Sequence, residues 1–133
     1  MKKIKIGITG CLGRMGQELI KAANKDKRIL ISSLTESKKY NKKINQLSIQ
    51  NNSIEAFKNT DVIIDFTTPE CTMQVLEIAA KLKKKIVIGT TGFTEKQENF
   101  IKKFSKKISI LKSGNMSVGV NLLLYITEIV SKS

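Results

Sequence analysis

The chain has 133 residues, 41% hydrophobic and 26% charged, which fits one domain and excludes a disordered, collagenous or disulfide-scaffold chain. Lys and Arg number 24 against 11 acids for a formal charge of +13, yet 22 of those bases are Lys, a skew that reads as compositional drift because Arg is the residue favoured where phosphate forks matter. The sequence contains no His, which removes the commonest general acid–base and the commonest metal ligand together, so no metal site is expected.

Ile4, Ile6 and Ile8 open a β-branched run that stops at Thr9-Gly10, and Met15, Leu19, Ile20 and Ala23 then recur at helical spacing over Arg14 to Asn24. Arg28 to Leu34 is a second apolar run, ending in polar Thr35 to Lys39. Tyr40 to Asn52 reads as a loop, a short strand around Leu47 to Ile49, or both, and Ser53 to Phe57 as one helical turn. Asp61 to Phe66 is a continuous apolar stretch of the kind found in a parallel strand buried on both faces. Glu70 to Leu82 is helical, with Lys81 to Lys85 ending it on the side that suits the helix dipole. Ile86 to Ile88 is a strand closed by Gly89-Thr90-Thr91-Gly92. Thr94 with Gln97 three residues on is a capping box for a helix to about Lys106. Ile108 to Leu111 is another strand, Ser113 to Ser117 a loop, and Val118 to Val130 an apolar helix. Strand and helix alternating at this spacing argue a parallel α/β sheet with right-handed crossovers, in one domain.

Cys11 and Cys71, 60 residues apart, form neither a disulfide framework nor a zinc spacing, and a reducing compartment follows. The basic start leads into an apolar run too short for a signal peptide, and no window approaches the roughly 20 apolar residues of a membrane span. A soluble, cytoplasmic protein without a membrane partner is expected. The Lys clusters at 81–85 and 102–107 lack interleaved aromatics and Arg forks, so nucleic acid is not expected as a partner either. Phe66, Phe93, Phe100 and Phe104 read as core.

Chemistry concentrates in the loops after the strands. Gly10 to Gly16 is G-x-x-G-x-x-G, directly after the first strand and opening the first helix. One glycine permits the tight turn, another lets backbone N–H groups approach a pyrophosphate, and the third lets the helix pack closely on the sheet. Thr67 to Glu70, Gly89 to Gly92 and Ser113 to Ser117 also follow strands, so all four loops fall on the carboxyl edge, where open α/β sheets bind ligands. Glu36 lies 20 residues after Gly16, where an acid would take a ribose hydroxyl, with Thr35 the alternative if the strand end is off by one. Lys38 and Lys39 could accept a 2′-phosphate or be two surface lysines. Cys11 is either a small filler or a thiol activated by the helix N-terminus.

Four motifs, Ile6 to Gly16, Asp65 to Glu70, Gly89 to Phe93 and Asn115 to Asn121, taken together and in this order, resemble the 4-hydroxy-tetrahydrodipicolinate (dihydrodipicolinate) reductase family over residues 4 to about 130. The resemblance implies a Rossmann-like, doubly wound, mostly parallel three-layer sheet, with residues 1–133 as the NAD(P)-binding domain. It implies an oxidoreductase of lysine and diaminopimelate biosynthesis that uses NADH or NADPH to reduce 4-hydroxy-tetrahydrodipicolinate, a small dicarboxylate, to tetrahydrodipicolinate. By motif, Gly10, Cys11, Leu12, Gly13, Arg14 and Met15 would hold the pyrophosphate, and Glu36 or its neighbour the adenosine ribose. Gly89, Thr90 and Thr91 would approach the nicotinamide, with Thr91 also near the substrate, while Ser113, Gly114, Asn115 and Met116 would border the nicotinamide amide. The 118–133 helix would lead into the hinge between the family's two domains. The full-length enzyme would be a homotetramer.

The family's second, α+β domain carries a Glu-x-His-His-x-x-Lys-x-Asp-x-Pro-Ser-Gly-Thr signature with the acid–base His and the substrate-binding Lys. This chain ends at Ser133, before that region, and a C-terminal segment that completes the family's cofactor domain is missing too. No catalytic residue is expected in the chain; Lys112 and Tyr125 are the nearest proton donors by motif position. It reads as the cofactor half of such a reductase, the alternative being a non-catalytic dinucleotide-binding or regulatory module.

Overall fold

The computed structural model describes residues 2–131; Met1 and the last two residues of the 118–133 stretch lie outside the described residues. β1 (Ile4–Thr9) is buried on both faces from Ile6 on, with Ile6 and Ile8 packed towards α1 (Arg14–Lys25) through Ile20 and Ala23. On its other face Gly7 is a glycine for steric reasons: a Cβ there would lie 2.9 Å from the Thr60 methyl and 3.0 Å from the Phe57 ring. The chain continues through β2 (Ile29–Glu36), β3 (Lys43–Ile44), β4 (Leu47–Asn51), α2 (Ile54–Phe57) and β5 (Val62–Asp65). It then forms α3 (Pro69–Lys81), β6 (Lys85–Ile88), α4 (Glu95–Ser105), β7 (Ile110–Lys112) and α5 (Val118–Ser131).

The seven strands make one sheet in the order β3-β4-β2-β1-β5-β6-β7, parallel throughout except for β3 against β4. The chain winds outward from β1 through β2 to β4, then returns to the other side of β1 at β5 and winds outward again. That reversal between β1 and β5 is the topological switch point, where a crevice opens at the carboxyl edge. One core cluster lies on the α1 face, around Ile8, Leu34 and Ile49. The other lies against α3 and α4, around Phe57, Ile63, Leu76 and Ile88. The expected doubly wound, mostly parallel three-layer sheet is therefore what the chain forms.

Differences from the sequence reading have local causes. The Tyr40 to Asn52 stretch forms a β3–β4 hairpin, turned by Asn45 and Gln46 at φ +50° and +66°. That two-residue pattern usually carries glycine, which this turn lacks. β2 runs on through polar Thr35 and Glu36 because both pair with β4. β7 starts at Ile110, since the N–H groups of Lys107 and Ile108 turn back onto the Phe104 carbonyl and finish α4. The Thr94–Gln97 capping box forms as read. Phe93, Phe100 and Phe104 pack on the core, but Phe66 lines a cleft. α5 has no buried residue, and no helix among the described residues is long and apolar enough to cross a membrane.

The strained turn gives a stability expectation. Gln46→Gly removes a side chain from left-handed backbone and should stabilise the chain by about 0.5 kcal/mol, the strain relief being offset in part by glycine's unfolded-state entropy. Urea denaturation measures the difference; a lower midpoint would contradict the turn assignment.

Candidate functional site

At the carboxyl edge the strand register sets up one continuous rung: Gln50, Thr35, Thr9, Asp65, Ile88 and Lys112, taken from β4 across to β7. Thr35, Thr9 and Asp65 are buried and polar, directly beneath the loops that follow their strands. The rung is tied to its surroundings by side chains. The Thr9 hydroxyl donates to Asn52 Oδ1 at 2.9 Å, and Asn52 Nδ2 donates to Cys71 Sγ at 3.2 Å.

The glycine loop is held from below. The N–H groups of Gly10 and Cys11 donate to the Thr35 carbonyl at 2.9 and 3.2 Å, and Gly13 N–H donates to the Gly10 carbonyl at 3.0 Å. Leu12 N–H donates to Glu36 Oε1 at 2.7 Å, and Gln17 Nε2 donates to the Cys11 carbonyl at 2.6 Å. Gly10 turns at φ +70°. At Gly16 a Cβ would lie 2.2 Å from the Gly10 carbonyl oxygen, so only glycine lets α1 start this close to the loop. Gly13 occupies the N-cap without a side chain to cap, and the first helical bond is Gln17 N–H to its carbonyl. The loop's own amides are thus committed, while the first-turn amides of Arg14 and Met15 have no partner among the described residues. They sit at the positive end of the α1 dipole, where anions are favoured.

Beside this helix start lies a cleft of about 340 Å³, lined by Gly10, Gly13, Glu36, Phe66, Thr67 and Cys71 among others. Glu36 reaches it from the end of β2 with Oε1 already accepting from Leu12. On the opposite wall the Thr67 methyl lies 2.7 Å from where a Gly10 Cβ would be. Thr67 N–H donates to Thr90 Oγ1 at 2.9 Å, which joins the β5 and β6 loops. Gly89 is fixed by a neighbour, since a Cβ there would fall 2.0 Å from the Phe66 ring. The uncapped helix start at Gly13, the uncommitted amides and the nearby carboxylate fit an extended anionic ligand with a hydroxylated arm towards β2. That is the chemistry of a dinucleotide.

Of the residues read from sequence, the structure gathers Gly10, Gly13 and Glu36 around one cleft, with Arg14 and Met15 exposed in the helical turn that follows Gly13. Thr90 is buried and bonded into its wall, and Thr91 is exposed. Ser113, Gly114, Asn115 and Met116 lie further along the edge, in a turn closed on itself by Ser113 Oγ and Asn115 Oδ1. Thr35 is fully buried, which leaves Glu36 as the side chain that faces the cleft. Lys38 lies 5.9 Å from the Tyr40 ring centroid, and Lys39 lines a separate depression with Tyr40, Lys42, Lys43 and Gln50. Lys112 is engaged with α4, its Nζ 2.8 Å from Glu98 Oε1, and Tyr125 is exposed on α5.

Cys11 is a filler. It is fully buried in the α1-side core, and burial, with the Glu36 charge adding to it, pushes its thiol up to about 11. Sequence reasoning placed the Thr67 to Glu70 loop at this edge but gave no individual role to Asp65 or Thr67, and it missed Asn52. Their roles depend on cross-strand register, and only the position of Asp65 at the end of an apolar run could have flagged it.

Two expectations follow. Gly16→Ala should cost about 1–3 kcal/mol of stability through overpacking against the loop, read as a lower melting temperature. Native protein at pH 8 should react at Cys71 and spare Cys11, with both thiols reacting in denaturant; two fast native thiols in a chromogenic disulfide titration would contradict the placement of Cys11.

Residues 4–116 match the family described as dihydrodipicolinate reductase, N-terminus. The chain is 60% identical over 133 residues to the 4-hydroxy-tetrahydrodipicolinate reductase of Pelagibacter ubique (strain HTCC1062), covering 100% of this chain and 52% of that protein. It is 38% identical to the reductase of the same name from Buchnera aphidicola subsp. Baizongia pistaciae, covering 96% of this chain and 52% of that one. The chain therefore spans about half the length of the curated relatives it matches. In fold it is similar to a dipicolinate-bound dihydrodipicolinate reductase from Paenisporosarcina sp. TG-14, with a TM-score of 0.79 at 20% identity over 97% of this chain and 54% of that one.

Proposed function

Because the chain belongs to the family of the dihydrodipicolinate reductase N-terminus, we propose that it is the NADH- or NADPH-binding part of a 4-hydroxy-tetrahydrodipicolinate reductase. In this reading it serves lysine and diaminopimelate biosynthesis in the cytoplasm, with residues 1–133 as the cofactor domain and α5 as the lead towards the substrate-binding part. The observation that carries the reading is the pair of uncommitted amides on Arg14 and Met15, placed after a glycine loop whose own amides are spent and beside the carboxylate of Glu36.

The first-turn amides and the Arg14 guanidinium hold the pyrophosphate, with Gly13 leaving room for it and Gly10, Cys11 and Leu12 shaping the loop beneath. Glu36, anchored through Oε1 to Leu12, offers its second oxygen to a ribose hydroxyl. Gly89, Thr90, Thr91 and Ser113 to Met116 serve the nicotinamide end, and the exposed Thr91 also faces the dicarboxylate substrate. When bound, the reduced dinucleotide supplies the hydride. The chain's residues bind and orient; with Lys112 paired to Glu98 and no His in the sequence, proton transfer is left to the substrate-binding part.

Calorimetric titration tests this directly. NADH and NADPH should both bind, within about tenfold of each other, because Glu36 opposes a 2′-phosphate while Lys38 and Lys39 favour it. Gly13→Val should abolish binding without unfolding the chain, at a modest cost in melting temperature, since a Cβ at Gly13 meets the Gly10 carbonyl at a tight 3.3 Å. The 133-residue protein should show no substrate-dependent loss of absorbance at 340 nm. Unchanged affinity in Gly13→Val would remove the site, and clear turnover would refute the division of labour.

A further inference from the structure

Asp65 breaks a rule of protein interiors. It is fully buried at the end of β5, and no cation pairs with it among the described residues. Buried carboxylates are ordinarily paired or completely hydrogen-bonded, because desolvation penalises their charged form. Here Oδ1 accepts from the Thr67 hydroxyl at 2.6 Å, while Oδ2 has no partner of good geometry, and neither does the buried hydroxyl of Thr72. Burial accordingly pushes the Asp65 carboxyl above the ordinary carboxylate range, against the opposing pull of hydroxyls on Thr67, Thr72 and Thr90. A fold seeking stability alone would place an apolar residue or an amide here. Sites that spend stability in this way are often functional.

The consequence lies in Thr67. Its hydroxyl proton is directed inward to Asp65, and its N–H is directed to Thr90 Oγ1, whose own proton has Asp65 as the nearby acceptor. The Gly89 N–H is held by the Asp65 carbonyl at 2.8 Å, so both loops hang from this residue. Thr67 is also the side chain that faces Gly10 across the cleft. We propose that Asp65 is a positioning residue for the dinucleotide cleft: its carboxylate, by accepting the Thr67 hydroxyl proton, orients that side chain so that its methyl packs against the glycine loop and sets the cleft wall. The proposal rests on the dinucleotide reading and adds to it a residue that touches no ligand itself.

The groups facing Asp65 are few. Thr9 of β1 and Ile88 of β6 flank it in the sheet, and Thr67, Thr72 and Thr90 approach from its own loop, α3 and the β6 end. None of these titrates. In the first turn of α3, Glu70 is exposed and Cys71 is bonded to Asn52. Glu36 is the other carboxylate on the cleft. Since the folded-state pKa of Asp65 is raised, the folded chain keeps this proton to higher pH than the unfolded chain. The group's contribution to stability therefore falls as pH rises through that window.

This separates positioning from structural support. Asp65→Asn keeps the shape and one acceptor but cannot ionise, so at pH 7 it should melt at the same temperature or higher while binding NAD+ at least tenfold more weakly. NAD+ is the probe because it withstands mild acid. Wild-type affinity should drop as pH is lowered through the Asp65 titration, and the Asp65→Asn profile should be flat across the same range. Thr67→Val should reproduce the tenfold loss with the carboxyl intact. Equal NAD+ affinity and an unchanged pH profile in Asp65→Asn would overturn the proposal and leave the cofactor reading standing. A fall in melting temperature accompanying the lost affinity would assign Asp65 to the fold instead. Absence of NAD+ and NADH binding by the wild-type protein would sink the cofactor reading, and this proposal with it.

Discussion

The close approach of α1 to the loop before it governs the candidate site. With the Gly10 carbonyl lying where a Cβ of residue 16 would be, the helix begins directly on the turn that ends β1. Three consequences follow from that one contact. The amides of Gly10, Cys11 and Leu12 are consumed by the Thr35 carbonyl and the Glu36 carboxylate, and that of Gly13 by the Gly10 carbonyl. The next amides, on Arg14 and Met15, have no acceptor within the helix and point outward with the dipole. The glycine at 10, without a Cβ, then lets Thr67 close in on the loop. A helix start that favours anions is thus a by-product of packing a helix tightly against a strand.

Beneath the loop the sheet contributes chemistry as well as support. Ile6, Ile8, Ile63 and Ile86 make the middle of the strands apolar, but the last rung switches to Thr35, Thr9 and Asp65. These residues carry the loops: Thr35 through its main-chain carbonyl, Thr9 through its hydroxyl on Asn52, and Asp65 through its carboxyl on Thr67 and its carbonyl on Gly89. The hydrophobic core sets where the strands end, and the polar rung sets where the loops go. Leu12 N–H donates to Glu36, so the end of β2 and the glycine turn cannot move independently while that bond holds.

The strands were legible in sequence because both faces of the central ones are apolar, which leaves continuous runs such as Asp61 to Phe66. The glycine loop was legible because its spacing follows a strand and opens a helix. The β3–β4 hairpin was not resolved, since Asn45 and Gln46 supply a positive-φ turn without the glycine that normally marks it. Phe66 read as core because aromaticity says nothing of which side of a strand end a ring will take; here it leans over Gly89. Glu36 was found by counting from the glycines, but its bond to Leu12 was not, and neither was the convergence of threonines on Asp65. Both depend on register between strands that sequence order does not bring together.

An amide-resolved nuclear magnetic resonance titration with NADH measures the binding surface most directly. The account predicts saturable shifts that are largest at the Arg14 and Met15 amides, smaller ones at Leu12 and Thr67, and none at the lysines of the opposite sheet edge. Shifts confined to surface lysines, or none at all at millimolar NADH, would contradict it.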